Sequence, residues 1–190
     1  MENTKSKNQS EKKRKFKTID LAYIGIFAAL IAVCSWVQIP LTVPITLQTM
    51  GVCIAAGLLG TKRGTLCVAV YILLGLIGVP VFAGFKSGAG ALFGSTGGYI
   101  IGFIFTALIV GLMVHFLGKK VWVYALSMVI GIAVCYAFGT AWFVIVYTKN
   151  VEAITLSKAL GMCVTPFIIP DLVKIAVATA LCAKLNKHIK

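Results

Sequence analysis

A chain of 190 residues that is 59% hydrophobic and only 12% charged, with a mean hydropathy of +0.98, is not a soluble domain, which would carry roughly twice that charged fraction. Its formal net charge of +13 does not mark a nucleic-acid surface: seven of the 18 Lys/Arg lie in the first 17 residues, and most others fill short gaps between apolar runs without interleaved aromatics. Long apolar runs within the length of one compact domain indicate a protein that uses the bilayer as its solvent.

In chain order, residues 1–19 form a polar, basic arm that reads as a disordered cytoplasmic extension. The first apolar run, 21–37, ends at WVQIP with no small-x-small cleavage site, so it reads as a retained span rather than a signal peptide. Further runs follow at 45–59, 65–79, 97–117, 121–147 and 164–185. The second and third are short for a hydrocarbon core of about 30 Å, which predicts tilt, breaks or burial by neighbours. Lys62 and Arg63, Lys119 and Lys120, and Lys184, Lys187 and Lys190 fall on the same side as the arm, whereas Lys86, Lys149 and Lys158 fall on the other, a ratio of fourteen to three. Cytoplasmic loops carry the excess of Lys/Arg, so this distribution predicts six transmembrane helices with both termini inside.

That topology sends the three least lipid-like stretches, 38–49, 78–98 and the start of the last run, to the outer side. Irregular backbone at membrane depth is tolerated only where protein covers it or a cavity lies beside it, so their convergence predicts an outward-facing pocket. The last run opens with FIIPDLVK (167–174), which places Asp171 and Lys174 three residues apart, on one helical face, among hydrocarbon. An acid in the first turn after Pro170 could be a helix-dipole partner, but that leaves Lys174 unexplained, and intramembrane ionisable residues mark functional sites by default. The 78–98 loop carries Gly84, Gly88, Gly90, Gly94, Gly97 and Gly98 and reads as a ligand lid or a flexible outer loop. It is not a nucleotide loop, since no GxxxxGK[ST] occurs anywhere in the chain.

Thr46 and Gln48 are neutral polar residues just inside the second run, suited to interhelical or ligand hydrogen bonds. In YAFGTAW, Tyr136 and Trp142 flank Gly139 as a recess for a ring-shaped ligand, although such stripes are more often core. Gly25/Ala29 and Ala28/Ala32 are small-xxx-small pairs for close approach of another helix, internal or external. The six Cys lie in or beside apolar runs without CxxC spacing and the chain has two His, so no metal site is expected. No nucleophile–base constellation is evident either, which argues against an enzyme.

The stretches VPITLQT (43–49), VPVFAGFKSGAGALFGSTGGYIIGF (79–103), YAFGTAWF (136–143) and PFIIPDLVK (166–174) resemble the BioY family, the biotin-specific substrate-binding (S) subunits of energy-coupling-factor (ECF) transporters. The resemblance runs from about residue 20 onward. It implies an all-α, six-helix S-component fold in the cell membrane that captures biotin outside. Its partners would be a transmembrane coupling subunit and two ATPase subunits, with no cofactor of its own. It further implies a biotin site built on Asp171, Lys174, Gln48, Thr46, Phe82, Gly84, Thr96, Tyr99, Tyr136 and Trp142. The family's AxxxA coupling contact falls on Ala28 and Ala32, with Gly25 and Ala29 adjacent. Ser95 stands where the family commonly has proline in GPTGGY, and Lys86 where it commonly has a polar Gly/Ser run. An alternative function, an autonomous proton-coupled carrier using Asp171, fits less well, because a neighbouring cation favours the charged form of an acid.

Overall fold

Segments that are apolar on every side must satisfy their backbone groups internally, and in a bilayer the helix is the way to do so within one segment. The computed structural model describes residues 17–151 and 153–186; most of the basic arm, Lys187 and Lys190 lie outside them. In chain order it contains α1 (Thr18–Trp36), β1 (Gln38–Ile39), β2 (Ile45–Thr46), α2 (Gln48–Leu76), α3 (Gly88–Phe93), α4 (Gly97–Leu117), α5 (Val121–Asn150), α6 (Leu156–Cys163) and α7 (Thr165–Leu185). Among the described residues, five helical stretches are long and apolar enough to cross a membrane: α1, α2, α4, α5, and α6 running into α7.

Helix α2 is broken at Gly60, whose φ of 75° and ψ of −176° are open to glycine and strained for any other residue. The chain folds back there. A Cβ on Gly64 would lie 2.7 Å from the Cα of Ala56, and Gln48 Nε2 donates to Tyr71 Oη at 2.6 Å. In an unbroken helix residues 48 and 71 would be about 35 Å apart. The arms 48–59 and 61–76 are therefore side by side and antiparallel, and they correspond to the two short runs read from the sequence. Burial by neighbours compensates for their shortness: residues 51–59 are buried without exception.

Helix α2 packs against α1, α4 and α7, and α4 in turn packs along α5. The α4–α5 seam is close because glycines stand where side chains would collide. A methyl on Gly102 would sit 2.8 Å from Cys135 Sγ, and one on Gly139 would run into the ring of Tyr99. Thr106 Oγ1 crosses the seam to donate to the Gly131 carbonyl at 2.9 Å.

The structure corrects two expectations. Helix α7 starts at Thr165, in line with the run read from 164, so Asp171 is in its second turn and the alternative of a first-turn dipole partner after Pro170 falls away. In α1, Ala28 and Ala32 are 1% and 6% exposed, part of this chain's own core, while Gly25 and Ala29 face outward. The AxxxA pair expected at an external partner is thus occupied internally, and the outward small pair is its neighbour.

Candidate functional site

Two segments that the sequence set apart as poor lipid neighbours carry short irregular structure. Between α1 and α2 the chain makes a two-residue antiparallel ribbon, Gln38 opposite Thr46, which delivers Thr46 and Gln48 to the top of α2. After α2 it makes a 3-10 turn, Ala83–Phe85, and then α3. Trp36 anchors this second connection by donating Nε1–H to the Pro80 carbonyl at 3.0 Å and stacking on Phe85 with centroids 5.1 Å apart. Below the two connections lies a cavity of about 650 Å³, closed by the start of α4, the middle of α5 and the second turn of α7. Its size is within the range of small-molecule sites.

Nine of the ten residues expected at the site line this cavity: Thr46, Gln48, Phe82, Gly84, Thr96, Tyr99, Tyr136, Asp171 and Lys174. Asp171 and Lys174 are 2% and 6% exposed and bond at 2.7 Å. Thr49 Oγ1 donates to Asp171 Oδ1 at 3.2 Å and accepts from Lys174 Nζ at 3.4 Å, while Tyr136 Oη–H donates to Asp171 Oδ2. A carboxylate offers about four acceptor positions and an ammonium three donors. Among the described residues three protein bonds reach Asp171 and two leave Lys174, so one acceptor and one donor remain on this pair at the cavity wall.

Gln48, Tyr99 and Thr46 are likewise held in place by partners. Gln48 donates to Tyr71, whose own hydroxyl donates to the Val81 carbonyl at 3.1 Å, and Tyr99 shares a 2.9 Å bond with Thr140. Thr46 Oγ1 accepts from the Gln48 backbone N–H at 3.2 Å. Phe82 fills the space left by Gly75 and meets Tyr71 edge-on at 5.6 Å. Gly84 takes a positive φ of 70° and brings its backbone against Gln38, where a Cβ would meet the Gln38 amide at 3.0 Å. Ile100, Phe103, Ile132 and Phe167 supply an apolar wall.

Trp142 is the exception, since it is not part of the lining. Its indole N–H donates to the Gly94 carbonyl at 3.0 Å and its side chain covers Gly98, so it ties the lid to the α4–α5 seam. Six positions along a helix turn by about 600°, which leaves Trp142 about 120° around α5 from Tyr136. The recess at Gly139 is filled by Tyr99 instead of standing open to a ligand. Sequence reasoning also passed over Thr49 and Tyr71. Thr49 follows Gln48 directly in TLQT, a signal that was present; Tyr71, inside an apolar run far along the chain, reaches Gln48 only through the fold-back at Gly60. Lys86, exposed, stands at the rim of the cavity.

Comparison with known proteins agrees with the resemblance in the motifs. The sequence profile of the BioY family matches residues 7–190, reaching into the basic arm that the motif resemblance left out. A "Biotin transporter BioY" of Thermotoga maritima is 44% identical over 164 residues, 86% of this chain and 93% of that one. A "Probable biotin transporter BioY" of Pyrococcus horikoshii is 36% identical, covering 90% of this chain and 98% of that one. The fold matches a crystal structure of the S-component for biotin from an ECF-type ABC transporter with a TM-score of 0.81. That match has 28% identity and covers 92% of this chain and 96% of the other. With motifs, cavity and fold in agreement, the chain belongs to the BioY family.

Proposed function

We propose that this multi-pass membrane protein captures biotin as the S subunit of an ECF-type transporter. The observation that carries the reading is the residual hydrogen-bonding capacity of the buried Asp171–Lys174 pair, one acceptor and one donor on two bonded side chains that line the cavity. A ureido ring presents an N–H donor beside a polarised C=O acceptor, the complement of that pair. Asp171 accepts from the N–H and Lys174 donates to the C=O, both as charge-assisted bonds in a site poor in water. The apolar wall takes the fused rings and chain, and the carboxylate end points to Lys86 at the rim. Thr46, Gln48, Thr96 and Tyr99 shape the polar side, with Phe82 and Gly84 holding the lid.

In this reading the chain itself binds biotin, and a transmembrane coupling subunit and two ATPase subunits handle nucleotide and supply the energy. The outward pair Gly25 and Ala29, with no heavy atom within 4 Å of a Cβ on Gly25, is the face of α1 offered to the coupling subunit. Six crossings, counting both arms of α2, with both termini cytoplasmic, put the lysine-rich ends inside and the cavity mouth outside. Equilibrium titration of the purified protein with biotin and with biotin methyl ester tests the assignment. Saturable biotin binding with weaker binding of the ester is expected; no binding of either by a folded protein would sink it.

A further inference from the structure

A second cavity, of about 870 Å³, lies at the end of the bundle opposite the biotin site, between the Gly60 fold-back, the last turns of α4 and the end of α7. Its walls are apolar, with Leu58, Leu59 and Val114 inside and Leu112 and Phe116 42% and 77% exposed toward the surround. Its rim is cationic. Arg63 is engaged by Asp20 at 2.8 Å and Lys119 Nζ donates to Asn186 Oδ1 at 2.6 Å, which fixes Lys119 over the opening; Lys62 and His115 complete the rim. The positive-inside bias accounts for the sign of these residues but not for their convergence from α2, the end of α4 and the α4–α5 turn onto one crevice. The depth is set independently by Trp122, 54% exposed just after Lys119 and Lys120, an aromatic of the kind that sits at headgroup level.

Hydrocarbon walls under a cationic rim at headgroup depth match an amphiphile with an anionic head. We infer that this crevice holds the phosphate of an anionic phospholipid, with Lys62 and Lys119 on the phosphate and one acyl chain along Leu112 and Phe116. Basic pockets between helices on the cytoplasmic side recognise lipid heads in this way. The inference stands apart from the identity of the ligand in the outer cavity, because neither lysine touches that site.

The test is native mass spectrometry of the full chain released from nanodiscs of equimolar phosphatidylglycerol and phosphatidylcholine, for the wild type and for Lys62→Gln/Lys119→Gln. A parallel arm adds inorganic phosphate in detergent without lipid. The expected result is one retained phosphatidylglycerol per protein, enriched over phosphatidylcholine and reduced about fivefold or more per lysine removed, with biotin binding unchanged as proof of folding. Equal retention of both lipids, retention indifferent to the double substitution, or saturable binding of inorganic phosphate in the lipid-free arm would each overturn the lipid assignment.

Discussion

Asp171 and Lys174, at one end of the molecule, are almost wholly buried and are held by each other, Thr49 and Tyr136. At the opposite end, Lys62 and Lys119 stand exposed around the crevice near Gly60. Burying an ion costs several kcal/mol even when it is paired, whereas an exposed cation at headgroup depth costs little and gains from the surface potential. The difference teaches where specificity can be built. The buried pair is fixed before any ligand arrives and offers a defined edge, while the exposed lysines can attract a charge class and little more. Substitutions at the two ends should therefore differ in size and in what they affect.

The largest effect is expected from Lys174→Met. Removing one partner of a buried charge pair costs about 2–5 kcal/mol, so biotin affinity should fall by about 30-fold or more in titration calorimetry. Tyr136→Phe removes one donor to the Asp171 carboxylate and should weaken binding by about tenfold, in line with about 1.5 kcal/mol or more for a bond to a charged group. Tyr71→Phe acts one residue further out, through Gln48, and should cost about fivefold, the size of one neutral hydrogen bond. Trp142→Phe should change affinity by about twofold or less while lowering the midpoint of thermal unfolding, because its N–H bond secures the lid and touches no ligand. A Trp142 effect as large as that of Lys174 would break the division between lining and support.

How much of this was legible in the sequence varies with the physical signal available. Charge in hydrocarbon is rare enough to stand out, so Asp171 and Lys174 were visible from composition alone. The two runs at 45–59 and 65–79 were also visible, since Gly60 and the polar Thr61–Arg63 step interrupt them. The face of α1 turned inward was not. A helix apolar all round has no polar face to reveal its orientation, so Ala28/Ala32 and Gly25/Ala29 could not be separated by pattern. The start of α7 was legible, since the run read from 164 meets a helix that begins at Thr165; only the alternative of a helix turn opening at Pro170 failed, because the structure carries that proline inside the helix after Pro166. The ribbon of β1 and β2 is two residues per strand, below any periodicity that a sequence can display.

The most direct test of the account is a double-mutant cycle on biotin binding with Asp171→Asn, Lys174→Met and the two combined, each shown to be monodisperse and helical before titration. The account predicts that either single substitution lowers affinity by about 30-fold or more and that the double loses little beyond the worse single, because the pair acts as one unit. Wild-type affinity in both folded single variants would contradict it, and would make the buried pair a structural element with the ligand bound elsewhere.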